Sequence, residues 1–271
     1  MTSALSAKEV EEYRAKGVHW PVRGISTEDA AHHAAAVVSF EKEYGDRARQ
    51  ILRQKSHLVL PWINQLTRTP NILDAVESLL GPDIFVWSSS FFIKDPYDKK
   101  FVSWHQDAPY WGLKPDDTVT AWVAFTPSNV ENGCMRVVPG SQRAEVPHAN
   151  KPNQDNLLLQ GQEVAVEVDD ETAANIELKP GEFSLHHSMI IHGSGPNQGS
   201  QRRVGFAIRY LKTSARQTVE ASDSATLVRG TDAYGNFQHE PTPQADMHPD
   251  AVKYLDDLLT VRYGGRYRQK K

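Results

Sequence analysis

A histidine and an aspartate stand two residues apart in the stretch WHQDAPYW, which occupies residues 104–111. In an extended segment, residues i and i+2 point to the same face, so the His105 imidazole and the Asp107 carboxylate would converge on one point. Both groups are metal ligands. The same tripeptide pattern also occurs as an ordinary polar pair at the end of a strand. A metal site therefore needs a third ligand from elsewhere in the chain.

The third ligand must come from the histidines downstream, which are His148, His186, His187, His192, His239 and His248. His192 stands in HHSMIIHGSG, where an apolar pair precedes it and a glycine-rich segment follows. We expect a strand to end at His192, which would let its side chain face a cavity. The neighbouring His32 and His33 are poor co-ligands, because adjacent residues of a helix do not share a face.

Two arginines, Arg202 and Arg203, open an apolar stretch that ends near Leu211 and reads as a strand. A buried arginine needs an anionic partner, and an organic acid held by two hydrogen bonds is one such partner. Since a shift of one residue turns a side chain to the opposite face of a strand, only one of the two can point inward. Two histidines and one carboxylate on one side of a metal leave other positions open, an arrangement that suits non-haem Fe(II) and O2 chemistry.

The composition is that of an ordinary globular protein, with 39% hydrophobic and 24% charged residues among 271. The net charge of -4 offers no basic field for nucleic acid or anionic lipid, so we expect neither as a partner. A lone cysteine, Cys134, excludes an intrachain disulfide and fits a packed thiol in a reducing cytoplasm. No apolar run is long enough for a membrane span, and the N-terminus does not resemble a signal peptide, so we expect a cytoplasmic protein.

Helices are predicted in the first part of the chain and strands in the second. Ser6 to Glu9 forms a capping box, Ser26 or Thr27 begins a second helix that runs to Gly45, and Pro70 begins a third that ends at Gly81. After Gly81, short β-branched and aromatic runs alternate with turn signals, a pattern typical of a sandwich or jelly roll. These runs are IFVWSSSFFI, TVTAWVAF, CMRVVPG, EVAVEV, GEFSLHH and RRVGFAIRYL, and HPDAVKYLDDLLTVRYGG reads as a closing helix.

We therefore expect a single domain that is mainly β with flanking helices. Its parts would be N-terminal helices in residues 1–82, a jelly-roll core in 83–212 and a C-terminal segment with a helix in 213–271. The N-terminal helices and residues 144–180 would form a variable lid, where substrate specificity is expected.

About residues 10–215 resemble the phytanoyl-CoA dioxygenase-like family of Fe(II)/2-oxoglutarate-dependent oxygenases. The resemblance rests on WHQD at 104–107, TAWVAFTPSNVENGCMRVVPGSQR at 120–143, LKPGEFSLHHSMIIHGSGPN at 178–197 and RRVGFAIRY at 202–210. It implies a double-stranded β-helix, a jelly roll of the cupin-like kind, which agrees with the strand pattern.

The resemblance also implies roles for individual residues. His105, Asp107 and His192 match the family's three metal ligands. Arg203, eleven residues after His192, matches the arginine that binds the distal carboxylate of 2-oxoglutarate, with Arg202 as the alternative. Further cosubstrate-side positions are matched by Ser194 and Trp122 and, more weakly, by Ser90 and Lys94.

The activity implied is hydroxylation of an unactivated C–H bond, with Fe(II), 2-oxoglutarate and O2, and with succinate as coproduct. Related halogenases have a small residue at the position of the carboxylate, so Asp107 favours hydroxylation over halogenation. Desaturation or ring formation at the same iron stays open. Two other classes are a metal-binding cupin-like module without turnover and a hydrolase with zinc or manganese, although hydrolysis gives Arg203 no role.

The substrate is expected to be a small molecule, and the fold and the metal ligands do not identify it. The aromatic residues Phe92, Trp104, Tyr110 and Trp111 are candidates to line its pocket. Arg209 lies six residues after Arg203 and shares its face by strand alternation. It could pair with an anionic substrate or form a structural ion pair. The oligomeric state is not indicated by the sequence.

Overall fold

The computed structural model describes residues 4–115, 118–158 and 161–263. Within these residues it contains six α-helices, α1 (Ala7–Lys16), α2 (Thr27–Tyr44), α3 (Asp46–Arg53), α4 (Pro61–Leu66), α5 (Pro70–Leu80) and α6 (Pro249–Tyr263). The strands are β1 (Val18–Arg23), β2 (Ile84–Lys94), β3 (Val102–His105), β4 (Leu113–Lys114), β5 (Val119–Ala124), β6 (Met135–Val137), β7 (His148–Asn150), β8 (Gln162–Val164), β9 (Ala174–Ile176), β10 (Glu182–His187), β11 (His192–Ser194), β12 (Arg203–Lys212), β13 (Arg216–Gln217), β14 (Ser224–Arg229) and β15 (Gln238–His239).

Two sheets form the body of the molecule, and they confirm the predicted jelly roll. The large sheet has the strand order β1-β10-β5-β12-β2-β14-β15, and the small sheet has the order β3-β11-β6-β9. They face each other, because one pocket is lined by Trp122 and Arg203 of the large sheet and by His105 and His192 of the small sheet. The two sheets do not close into a barrel.

The three helices with sequence signals begin where those signals predicted. The Ser6 hydroxyl accepts from the Glu9 backbone N–H, and the Glu9 carboxylate accepts from the Ser6 backbone N–H, which completes the capping box of α1. Ser26 caps α2 in the same way through the Asp29 N–H, and α5 has Pro70 at its first position. Neither α3 nor α4 was predicted.

Strand alternation gives the large sheet two different apolar faces. Phe183, Leu185, Phe206 and Ile208 point to one face, where they pack with residues of α2 to α6. The opposite face contributes Trp122 and Ala207 to a second cluster between the sheets, together with Met135, Val137 and Ile176 of the small sheet. The site therefore lies between the sheets. Alternate residues of the large sheet face it, and the residues between them pack against the helices on the other side.

Several details differ from the sequence-based expectation. His192 opens a strand, β11, whereas the sequence pattern predicted a strand ending there. The EVAVEV run contributes only its beginning to β8, and neither β1 nor β14 was predicted. Cys134 is buried just before β6, as expected of a packed thiol, and burial raises its pKa to about 11. None of the described helices is long and apolar enough to cross a membrane.

Candidate functional site

Three potential metal ligands converge where β3 and β11 pair. His105 ends β3 and lies directly opposite His192, the first residue of β11, while Asp107 follows His105 by two residues. The Asp107 Oδ1 atom lies 3.3 Å from His105 Nε2, and Asp107 Oδ2 lies 4.0 Å from His192 Nε2. All three side chains are buried, and one ligand atom from each lies within 4.8 Å of the others.

Backbone carbonyls orient both imidazoles toward this point. The Nδ1–H of His105 donates to the carbonyls of Ser103 at 2.9 Å and His192 at 3.1 Å, and the Nδ1–H of His192 donates to Ile190 at 3.0 Å. Each Nε2 atom is thereby left facing Asp107, as a metal ligand requires. Burial, together with the neighbouring His105, lowers the pKa of His192 to about 4, which keeps its imidazole neutral.

The carboxylate of Asp107 is held in its ionised form. Burial would raise its pKa, but the hydrogen bond with His105 and the charges of His192, His105 and Arg209 together lower it below the usual range. The Asp107 backbone N–H donates to the Ser188 carbonyl at 2.9 Å, which fixes the position of the turn. Two imidazoles and one carboxylate form a donor set suited to a divalent first-row metal.

Gln106, between the ligands, ties their turn to two other segments. Its Nε2 donates to the carbonyls of Met189 at 2.6 Å and Ala144 at 2.8 Å, and its Oε1 accepts from the Val146 N–H at 2.9 Å. The Gln106 backbone N–H donates to His148 Nε2 at 3.0 Å, so His148 also holds the turn. From the sequence, His148 was considered as a metal ligand, and the role of Gln106 and His148 in holding this turn in place was not predicted.

A second polar end of the same pocket contains Arg203 and Ser194, and the buried Lys94 lies behind Ser194. Lys94 Nζ donates to Ser194 Oγ at 2.7 Å and to the Gly195 carbonyl, and Arg203 Nη1 donates to the Gly133 carbonyl. The side chains of Lys94 and Arg203 form no ion pair with any described residue, and Arg203 Nε has no hydrogen-bond partner there. Burial and the nearby Arg203 lower the pKa of Lys94 to about 6, and burial lowers that of Arg203 to about 10. A buried arginine without an acidic partner, beside a buried lysine, marks a place for an anion.

Trp122 forms the wall between the two ends. Its ring lies over Gly205, where a Cβ atom would overlap it, and the Arg203 guanidinium lies 5.4 Å from the ring centroid.

The structure separates the two candidate arginines. Arg203 is 2% exposed and lines the pocket, whereas Arg202 turns away and forms ion pairs with Glu41 and Asp95, each at 2.7 Å. Alternation along β12 accounts for this difference.

The remaining predicted residues lie at different depths. Phe92 and Arg209 line the pocket, and Ser90 accepts from Arg209 Nη1 at 2.9 Å. Tyr110 lines a neighbouring groove together with residues 145–148. Trp111 packs under Arg209, at 5.5 Å between the guanidinium carbon and the ring. Trp104 lies under Arg136 and is absent from the described residues that line the pocket.

Two buried pocket residues, Thr120 and His186, were not predicted as site residues. The alternation of Thr120 with Trp122 on β5 was the available signal for the first. His186 was considered as a metal ligand, but its ring lies 5.0 Å from that of His192 and outside the three-ligand cluster.

A jelly roll with two histidines and one carboxylate between its sheets defines a class of metal-dependent proteins. The chain belongs to the phytanoyl-CoA dioxygenase family: the family model described as Phytanoyl-CoA dioxygenase (PhyH) matches residues 1–205.

Curated relatives include a probable alpha-ketoglutarate-dependent hypophosphite dioxygenase from Stutzerimonas stutzeri. It is 30% identical over 179 residues, which are 65% of this chain and 62% of the relative. An L-proline trans-4-hydroxylase from Streptomyces griseoviridis is 27% identical over 171 residues, 55% of this chain and 63% of the relative. The chain thus spans just under two thirds of the length of these relatives.

Among solved structures, the apo form of the non-heme monooxygenase ThoJ is similar along nearly the whole chain. The TM-score is 0.84 at 35% identity, and the match covers 97% of this chain and 99% of the other.

Proposed function

We propose that the protein is an Fe(II)- and 2-oxoglutarate-dependent dioxygenase that hydroxylates a C–H bond of a small molecule and forms succinate from 2-oxoglutarate. The observation that carries this proposal is a three-ligand cluster in the same pocket as the buried Arg203, with Lys94 beside it. The cluster suits a metal, and Arg203 with Lys94 suits the far end of a dicarboxylate.

The metal would be held by Nε2 of His105, Nε2 of His192 and the carboxylate of Asp107. Bound Fe(II) would supply O2 activation in this pocket, with 2-oxoglutarate as the electron donor. The chain's own part is to orient the imidazoles, because the hydrogen bonds from Nδ1–H to backbone carbonyls leave each Nε2 atom facing Asp107. Asp107 supplies the third ligand, and its presence supports hydroxylation over halogenation.

The distal carboxylate of 2-oxoglutarate would lie against Arg203, Lys94 and the Ser194 hydroxyl. Such a carboxylate would satisfy the Arg203 Nε atom and restore the ordinary charge of the lysine. Trp122 would close the side of this subsite, because its ring already lies against the guanidinium. A hydrolase or a metal-binding module would give Arg203 and Lys94 no ligand.

Anaerobic titration tests the proposal directly. The protein with Fe(II) is expected to develop a metal-to-ligand charge-transfer band when 2-oxoglutarate is added, and to form succinate under air in a screen of small-molecule substrates. His192→Ala should abolish both signals, whereas His32→Ala, which changes an exposed histidine on α2, should leave both intact. Tight metal binding without the band would contradict the proposal.

The proposal also includes the class of substrate, the partners and the cellular location. The names of the relatives, a hypophosphite dioxygenase and an L-proline hydroxylase, support a small-molecule substrate. The net charge of -4 supports a protein without a nucleic-acid partner, and the buried thiol of Cys134 is consistent with a cytoplasmic location.

A further inference from the structure

The pocket extends beyond the metal ligands to an end that the cosubstrate does not explain. On β12, Arg203, Gly205, Ala207 and Arg209 alternate onto the same face. Six residues of extended chain separate the two arginines by roughly 20 Å. Between them on this face, the Trp122 ring covers Gly205, and Ala207 lines the pocket on the Arg209 side. The inference rests on the proposed function, which accounts for the Arg203 end.

A row of polar side chains crosses three strands at the Arg209 end. Thr120 on β5 lies opposite Arg209 on β12 and opposite His186 on β10, and all three line the pocket. Thr120 is 1% exposed and His186 is 2% exposed. Thr120 Oγ1 and His186 Nδ1 have no hydrogen-bond partner in the part of the chain that the structure describes. Because buried polar atoms are nearly always paired, these two atoms indicate a ligand.

The Arg209 guanidinium is held in a defined position beside these atoms. Its Nη1 donates to Ser90 Oγ at 2.9 Å, and its carbon lies 5.5 Å from the centroid of the Trp111 ring. A guanidinium has five N–H donors in a planar fork, and this geometry matches oxyanions. The Nδ1 atom of His186, which has no partner among the described residues, can donate a hydrogen bond in the tautomer that carries its proton there.

We propose that the Arg209 end binds a carboxylate or a similar oxyanion of the primary substrate, through Arg209, the Thr120 hydroxyl and His186 Nδ1–H. An oxyanion accepts hydrogen bonds from all three groups at once. An alcohol or an amide satisfies fewer of them, and an apolar group satisfies none. The substrate is therefore an organic acid, or a phosphonate-type acid, whose reacting carbon lies between this end and the metal ligands.

Matched pairs of small molecules test this assignment. The anaerobic Fe(II) and 2-oxoglutarate complex is titrated with butanoate and butanamide, and with butylphosphonate and 1-butanol, while the charge-transfer band and the melting temperature are recorded. At least one anion is expected to bind the wild type about tenfold or more tightly than its neutral partner. Arg209→Gln should remove this preference, and Thr120→Val should reduce it several-fold. Arg202→Gln changes an arginine outside the pocket and should retain the full preference.

Three outcomes would overturn the proposal: equal binding of the neutral partners, undiminished anion binding by Arg209→Gln, or no binding of either anion. The proposal would also fail if Arg209→Gln lost affinity for 2-oxoglutarate in the absence of any substrate analogue, because the guanidinium would then belong to the cosubstrate site. That result would leave the proposed function intact. Absence of the charge-transfer band in the wild type would instead contradict the proposed function itself.

Discussion

At the scale of single residues, the turn that carries the candidate metal ligands His105 and Asp107 depends on the side chain between them, Gln106. Gln106 is completely buried and satisfies three backbone groups, two carbonyls and one N–H. These groups belong to residues 144–146 and to the turn that precedes β11. The side chain therefore fixes the spacing between the two strands that present the histidines.

We predict that Gln106→Leu weakens metal binding about tenfold or more, because loss of outer-shell support typically has an effect of this size. Each backbone group left without a partner also costs about 1–3 kcal/mol of stability. Metal affinity is measured by Co(II) titration of variants shown to be folded by circular dichroism. The matched control is Gln142→Leu, which removes hydrogen bonds to two carbonyls of α1. Equal Co(II) affinity in both variants would contradict the bracing role.

The two adjacent arginines offer a second residue-scale test. Arg203→Ala is expected to raise the dissociation constant of 2-oxoglutarate by about 10- to 100-fold, since a hydrogen bond to a charged group contributes about 1.5–3 kcal/mol. Arg202→Ala should change it less than about threefold, because Arg202 pairs with Glu41 and Asp95 outside the pocket. Titration of the charge-transfer band measures both constants. A larger effect of Arg202→Ala than of Arg203→Ala would show that Arg202, and not Arg203, binds the carboxylate.

At the scale of secondary structure, the pairing of β5 with β12 builds the pocket wall. Ala207 lies opposite Trp122, and the indole extends over Gly205 on the same face. Glycine is required there because of this close approach, since the indole occupies the place of a side chain.

Gly205→Ala is expected to displace the Trp122 ring and to lower the free energy of unfolding by about 1–3 kcal/mol, the usual cost of overpacking. Affinity for 2-oxoglutarate should fall with it, because the ring supports the Arg203 guanidinium. Gly195→Ala is the control, since a Cβ atom there meets nothing within 4 Å. Urea denaturation and intrinsic tryptophan fluorescence measure both effects; an unshifted fluorescence spectrum in Gly205→Ala would refute them.

Local signals explain which elements the sequence could predict. The capping residues Ser6 and Ser26 and the Pro70 start are each contained within a few residues, and their helices were predicted. The eight-residue helix α3 has no side-chain cap, and β1 contains a proline, Pro21, so neither produced a recognisable pattern. Both elements form because tertiary packing stabilises them, and this packing is not encoded locally.

At the scale of the whole molecule, a buried ionic cluster joins three distant parts of the chain. Lys55 Nζ pairs with the Glu240 carboxylate, which also accepts from Thr226 Oγ1 at 2.7 Å and lies 3.4 Å from His57 Nε2. His57 Nδ1 lies 2.7 Å from Ser89 Oγ on β2. The cluster connects the N-terminal helices, the large sheet and the C-terminal strands.

The cluster predicts how stability depends on pH. Burial would raise the pKa of Glu240, but Lys55 and His57 lower it to about 2 from its ordinary value of 4.5. Burial also lowers the pKa of His57 below 6.5. A group with a lowered pKa stabilises the fold above its ordinary value, so stability should fall as pH drops below 6.5 and more steeply below 4.5.

Glu240→Gln should lower the free energy of unfolding by about 3–5 kcal/mol at pH 7, because it leaves Lys55 buried without a counter-charge. Its stability should also change less than that of the wild type below pH 4.5. Urea denaturation at pH 7, 5.5 and 4 measures both effects. Asp257→Asn is the control, since it breaks an exposed pair with Lys253 that contributes little. A pH profile of Glu240→Gln parallel to that of the wild type would contradict the role of the cluster.

Contacts between residues far apart in the chain, such as Lys55 with Glu240, could not be predicted from the single sequence. The spacing of His105, Asp107, His192 and Arg203 was sufficient to predict the three side chains that cluster and the arginine that points inward, because each lies in a short motif. Lys55 and Glu240 are 185 residues apart and have no motif around them. The row of Thr120, Arg209 and His186 likewise became visible only when the strand register was known.

The hydrogen bonds from Gln106 and His148 have a consequence for protein engineering. Residues 145–148 border the groove beside the pocket, so the loop of residues 144–148 is a target for loop exchange between family members. They are also bonded to the turn that carries two metal ligands. A grafted loop without an acceptor at position 148 and without matching backbone groups for Gln106 would leave the turn at residues 105–107 without these hydrogen bonds. We therefore expect chimeras to keep the candidate metal site only when the loop and this turn are exchanged together.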